Sequence, residues 1–169
     1  MNLNNKTAFI CFFPAYPVNS GAGEISYALF KSWPAKIKKI FQINHVAKNP
    51  KQKSICNINI LSEVFWFKIF AIFKMIFLIK KYFKKTYQPV IIIEGASWIG
   101  YTYIFYRLIK FSLPNAVFIY HGHNIEYDIR KQKNSFFIAK ITKLLEKSIY
   151  QNIKLSTVVS KADATKVHK

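Results

Sequence analysis

Three short, unbroken apolar runs constrain this chain more than anything else in it: Ala8 to Phe13 (AFICFF), Pro89 to Ile93 (PVIII) and Ala116 to Tyr120 (AVFIY). None of them alternates apolar with polar residues, so neither side of such a strand is built for water. Strands of that kind belong to parallel sheets covered on both faces. Between the runs, apolar residues recur at helical spacing. Glu24 to Trp33 is predicted as a helix stopped by Pro34, Trp98 to Phe111 as another, and Ser135 to Tyr150 as another. Lys38 to Val46, Ile55 to Leu61 and Leu155 to Val159 read as further strands, and Ser160 as the cap of one more helix. Strands and helices alternate at lengths that suit right-handed crossover units. The expected fold is α/β, a doubly wound, mostly parallel, Rossmann-like sheet. No internal repeat or low-complexity segment is visible.

A length of 169 residues suits one domain with a true core. With 51% hydrophobic and 17% aromatic residues, the composition excludes a disordered chain. The formal net charge of +19 invites a nucleic-acid or anionic-membrane partner. The basic residues are nearly all Lys, however, with Arg only at Arg107 and Arg130. Lys, Ile, Asn and Phe are abundant together, which is also what compositional drift produces. Scarce Arg weighs against base-specific readout, where bidentate Arg contacts are the commonest device, so nucleic acid is not expected as a partner. Cys11 and Cys56 have neither zinc nor disulfide spacing and read as free thiols of a reducing, cytoplasmic compartment. The polar start MNLNNK and the break at Pro14 do not resemble a signal peptide.

The stretch from Ser62 to Lys85 is apolar enough to suggest a membrane span. Lys68 and Lys74 interrupt it, and its uncharged runs fall well short of the roughly 18 residues a span needs. Lys74, Lys81, Lys84 and Lys85 share one side at the helical period. The expectation is a packed helix whose Lys-rich end touches an anionic membrane surface from the inner face; the plainer alternative is a core helix with solvated lysines.

Open α/β sheets bind ligands beyond the carboxyl ends of their strands. The reading above places there Ser20, Gly21, Gly23 and Glu24 after the first strand, and Glu94, Gly95 and Ser97 after the fourth. His121, His123, Asn124, Glu126 and Asp128 follow the fifth, and Ser160 the sixth. The chain has seven acids, and four of them (Glu24, Glu94, Glu126, Asp128) fall near this edge; helix N-termini also attract acids on their own account. The glycine pair would let a ligand approach the backbone, and the helix start behind it favours a phosphate or other anion. A dinucleotide fingerprint fails at Ser26, where its third glycine belongs, and between Glu24 and Glu63 no acid stands to hold a ribose. His121-Gly-His123 with Glu126 has a metal-like look, but the remaining histidines, His45 and His168, lie in segments without a ligand pattern. No metal and no other cofactor is expected. A His at a strand end more often orients or deprotonates a hydroxyl.

Four pieces together resemble the N-terminal domain of GT-B glycosyltransferases of family 4 (group 1): FFPAYPVNSGAGEISYALFKSWP, PVIIIEG, FIYHGHNIEYDIR and LSTVVSKAD. The likeness covers nearly the whole chain from Thr7 onward. It implies a single acceptor-side Rossmann-like domain, truncated at its C-terminal edge, whose donor-binding partner domain with its paired glutamates is absent. It also implies metal-free, retaining transfer of a sugar from a nucleotide-sugar to a cell-surface glycan or lipid-linked acceptor. Under the resemblance, Gly21 and Gly23 match the loop that approaches the donor phosphates and sugar. His123 matches the catalytic-site His that faces the transferred sugar. Asn124 and Glu126 belong to the same motif, and Ser160 opens the helix near the domain junction; Ser20, Glu24 and Glu94, placed there by their positions at the strand ends, are expected to line the cleft with them. Because half the cleft is missing, catalysis by this chain alone is not expected. The other reading is a non-catalytic glycan-binding module or one subunit of a split transferase.

Overall fold

The computed structural model describes residues 6–44, 53–123, 127, 131–132, 136–153, 155–159 and 165. In chain order the elements are β1 (Thr7–Cys11), α1 (Gly21–Ser32), β2 (Lys38–Asn44), β3 (Ile55–Asn59), α2 (Phe65–Tyr82) and β4 (Val90–Glu94). They are followed by α3 (Ile99–Ser112), β5 (Val117–Gly122), α4 (Phe136–Asn152) and β6 (Leu155–Val158). The strands form one sheet in the order β3-β2-β1-β4-β5-β6, and every pairing is parallel. This is a Rossmann-like, doubly wound fold, with its topological switch point between β1 and β4.

The unbroken apolar strands are buried on both sides for the reason their sequence gives. On one face Ile10, Phe41, Ile43, Ile91, Ile93 and Tyr120 pack under α2, α3 and α4. On the other, Phe9, Ile40, Ile55, Val90, Ile92 and Ile119 pack with Phe30 of α1. Each such side chain, once withdrawn from water, contributes about 1.5–3 kcal/mol. Among the described residues α1 is the one long helix of this second face. Beside it lies a half-open apolar groove of about 350 Å³ lined by Leu29, Trp33, Ile92, Ile119 and Leu155, with His121 at its margin.

The strand register does what the sequence pattern does not announce. On the α1 side, Ile55, Ile40, Phe9, Ile92, Ile119 and Leu155 stand abreast across all six strands. Two residues further toward the carboxyl ends, the next row on that face is Asn57, Gln42, Cys11, Glu94, His121 and Thr157. The face changes from wholly apolar to almost wholly polar within one pleat.

Element ends differ from the sequence expectation in informative places. Helix α1 begins at Gly21 rather than Glu24, because Ser20 in extended conformation caps it and its Oγ accepts from the Gly23 amide at 3.1 Å. Gly21 and Gly23 therefore form the first helical turn rather than a loop before it. Helix α2 begins past Ser62 and Glu63, and Glu63 instead pairs with Lys68. Strand β5 continues through His121, which the sequence placed in the loop, because His121 keeps register with Glu94 on one side and Thr157 on the other.

Helix α2 lies across the face opposite α1 with Ala71, Ile72, Met75, Ile76 and Ile79 buried. Among the described residues no helix is long and apolar enough to cross a membrane.

Candidate functional site

The site is built where the polar row meets α1, at the switch point. Glu94, the last residue of β4, is 0% exposed. Ser26, one and a half turns into α1, donates its hydroxyl to Glu94 Oε2 at 2.8 Å. His123, one residue past β5 and itself buried, brings Nε2 to 3.0 Å from the same Oε2 and 3.4 Å from Ser26 Oγ. Its ring packs edge-on against Phe13, just beyond β1. Three elements distant in sequence thus converge on one carboxylate oxygen. An ionised carboxylate only accepts, so with Glu94 ionised both the hydroxyl and Nε2–H must donate to it. That fixes the tautomer of His123 and leaves Nδ1 as its second edge.

This arrangement is not a nucleophilic triad. In such a triad the acid and the hydroxyl hold opposite nitrogens of the imidazole. Here both meet the same Nε2, and Ser26 gives its proton to the acid instead of to the base. The chemistry it offers is a rigid, charged, hydrogen-bonded floor with an imidazole held in place.

Among the described residues, two buried polar atoms of this floor have no hydrogen-bond partner: Glu94 Oε1 and His121 Nε2. The other nitrogen of His121, Nδ1, meets Thr157 Oγ1 at 2.7 Å. Burial holds the His121 imidazole below its ordinary basicity, the Glu94 charge works in the opposite direction, and His123 adds slightly to the lowering. Cys11, on the other side of Glu94 in the row, has its thiol pushed well up by burial and then by the Glu94 charge, so it is an inert thiol here. Glu94, His121 and His123 offer one ligand atom each, all within 4.8 Å of one another. The sequence had grouped the two histidines with Glu126; the fold groups them with Glu94.

The left half of the row has a different role. Gln42 is fully buried, and its Oε1 accepts from the amides of Ala15 and Tyr16 at 3.0 and 2.9 Å. Its Nε2 donates to the Tyr16 carbonyl and, at 2.7 Å, to Asn57 Oδ1. All four hydrogen-bonding positions of this amide are in use. They clamp the segment that leads from β1 into α1. Ser97 adds a tie, donating to the Phe12 carbonyl at 3.3 Å.

The sequence-derived site residues separate accordingly. Glu94 and His123 meet as described. Ser20 is the cap of α1. Glu24 is exposed on the first turn, where an acid complements the helix dipole, and it is not part of the buried cluster. The two glycines have different reasons. A Cβ on Gly23 would stand 3.1 Å from the Pro14 carbonyl oxygen and 3.2 Å from Ser20 Oγ, so the chain itself requires this glycine. A Cβ on Gly21 would meet nothing within 4 Å, so nothing in the described chain explains that one. The amides of Gly21 and Ala22 precede the first intrahelical bond, which Glu24 makes to the Ser20 carbonyl at 2.9 Å. Gly95 is accounted for by packing: a Cβ there would collide with the Tyr120 ring. Asn124, Glu126, Asp128 and Ser160 lie outside the described residues.

Sequence reasoning missed Ser26 and Gln42. Ser26 entered only as the residue that spoils a glycine fingerprint. Its available signal was spacing: it sits on the inward stripe of α1 with Gly23 and Phe30, where a hydroxyl needs a partner. Gln42 offered a similar signal, an amide between Phe41 and Ile43 in a strand buried from Ile40 to Asn44.

No family model matches the chain, and no curated protein matches it significantly.

Proposed function

We propose that the carboxyl edge of this sheet is the acceptor-side half of a sugar-transfer cleft, acting on a nucleotide-sugar and a glycan or lipid-linked acceptor. The observation that carries the reading is the convergence of Ser26, Glu94 and His123 at the switch point, one and a half turns behind the start of α1. His123, anchored through Nε2, offers its other edge to a sugar hydroxyl. The amides of Gly21 and Ala22, with no side chain crowding Gly21, suit the diphosphate of the donor. Developing charge on a leaving phosphate is what preorganised donors of this kind stabilise. The resemblance of the motifs Gly21-Ala-Gly23 and His121-Gly-His123 to family 4 glycosyltransferases points the same way. Transfer needs donor and acceptor in one closed cleft, so this reading assigns the chain half of an enzyme, and catalysis depends on a donor-binding domain.

The same reading gives α2 a place. Trp66, Phe70, Phe73 and Phe77 form one stripe at helical spacing, and they are 66%, 69%, 53% and 69% exposed. Lys74 lies within this stripe, and Lys80, Lys81, Lys84 and Lys85 are exposed at its end. Aromatic side chains beside lysines suit the interface of an anionic bilayer, where the rings enter the headgroup level and the ammonium groups meet phosphate. A lipid-linked acceptor would reach the cleft from such a surface.

The test is ligand binding to the chain followed by nuclear magnetic resonance, using nucleotide-sugars and oligosaccharide or polyprenyl-linked acceptors. Shifts confined to β4, β5 and the start of α1, weakened at least about tenfold in His123→Ala, are expected. Absence of any shift across the panel overturns the reading. Sugar binding without turnover, even with a donor domain supplied, would make the chain a glycan-binding module instead. Sedimentation with phosphatidylglycerol vesicles checks α2: replacing Lys80, Lys81, Lys84 and Lys85 by Gln should release the chain, and unchanged sedimentation would return those lysines to the solvated alternative.

A further inference from the structure

We infer that Glu94, His121 and His123 form a binding site for a divalent transition-metal cation of the zinc class. This goes beyond the sugar-transfer reading, whose family resemblance implies no metal, and does not rest on it. Two atoms without partners among the described residues, Glu94 Oε1 and His121 Nε2, are buried, and they belong to residues that, with His123, each offer one ligand atom to a group spanning no more than 4.8 Å. Leaving two such atoms unsatisfied is costly in any interior. One cation satisfies both at once.

The surroundings are those of a metal site rather than of a chance meeting. A ligating imidazole ordinarily has its other nitrogen held by an oxygen, which fixes the tautomer and aims the lone pair. His121 Nδ1 is held in this way by Thr157 Oγ1 at 2.7 Å; with Nδ1–H donating to that hydroxyl oxygen, Nε2 is the lone-pair nitrogen. Ser26 holds Glu94 through Oε2 in the same sense and leaves Oε1 over. A metal bound at His123 Nε2 takes the lone pair there, so the ring binds as its other neutral tautomer, with the proton on Nδ1. Two imidazoles and one carboxylate suit zinc and its neighbours more than magnesium or calcium, which prefer all-oxygen sites. Three protein ligands leave at least one position open for an oxygen of water, a hydroxyl or a phosphate.

The experiment titrates cobalt(II) into the untagged, chelator-treated chain and follows visible ligand-field absorption, with zinc as competitor. One-to-one saturable binding, reversed by zinc, is expected. His121→Asn should weaken it at least about 100-fold, and Thr157→Val, which removes the oxygen behind the ligand, about tenfold. Glu94→Gln should weaken it as His121→Asn does. Should Glu94→Gln fail to fold, the other two decide, because neither His121 nor Thr157 is fully buried. No saturable binding, or equal affinity in His121→Asn and the parent, overturns the inference; the second result would place the metal on other side chains. The readout uses no sugar, so its failure leaves the transfer reading untouched.

Discussion

The two halves of the polar row differ in how completely the protein answers them. On the left, Gln42 and Asn57 sit in a closed set of hydrogen bonds in which every position of the Gln42 amide is used. On the right, Glu94 is buried and His121 half-buried, yet among the described residues each keeps one buried polar atom without a hydrogen-bond partner. Both halves occupy the same pleat of the same face, over the same kind of apolar row. That contrast separates a polar residue whose bonds are closed within the chain from one still able to bind. The first has spent its bonding capacity inside the chain, and the second has capacity left over.

Breaking the comparison should therefore be asymmetric. The largest effect belongs to Gln42→Leu, which leaves two amides, one carbonyl and the Asn57 side chain without their partner. A loss of about 3 kcal/mol or more in urea unfolding is expected. A loss below about 1 kcal/mol would show that the clamp on the Ala15–Tyr16 segment is dispensable. Gly23→Ala comes next, since its Cβ presses on the Pro14 carbonyl of that clamped segment. A cost of about 1–2 kcal/mol is expected.

Glu94→Gln should cost less than about 1 kcal/mol in unfolding while abolishing ligand-dependent shifts at the site. If it destabilises the fold as much as Gln42→Leu, the two halves are alike and the comparison fails. Gly21→Ala should change stability by no more than about 0.5 kcal/mol, or raise it slightly, because its Cβ points into open space on a helix. Any loss of function in that variant would then report ligand approach rather than folding. Thiol labelling sharpens the middle of the row. Cys56, half-buried at β3, should react first, and Cys11, raised by burial and by Glu94, only as fast as the sheet opens.

Much of the fold was legible because the strands advertise themselves. Val90 to Ile93 has no polar residue, so it had to lie inside a sheet covered on both faces, and the helical spacing between strands left little choice of connection. Ends were less legible. Ser20 could be read as a loop residue or as a cap, and only the extended conformation observed there moves the start of α1 to Gly21. His121 looked like loop because Gly122 follows it, but its pairing with Glu94 and Thr157 keeps it in β5.

Which residue types stand near the strand ends was fixed by the letters alone: an acid closing β4, two histidines around the end of β5, and a serine with a glycine pair after β1. The meeting of Glu94 with Ser26 and with both histidines was decided only in three dimensions. Alternation along a strand tells which side a residue faces, but how far one strand slides against another depends on packing between segments scores of residues apart. That sliding aligned Asn57, Gln42, Cys11, Glu94, His121 and Thr157 into one row, and α1 then laid Ser26 over it.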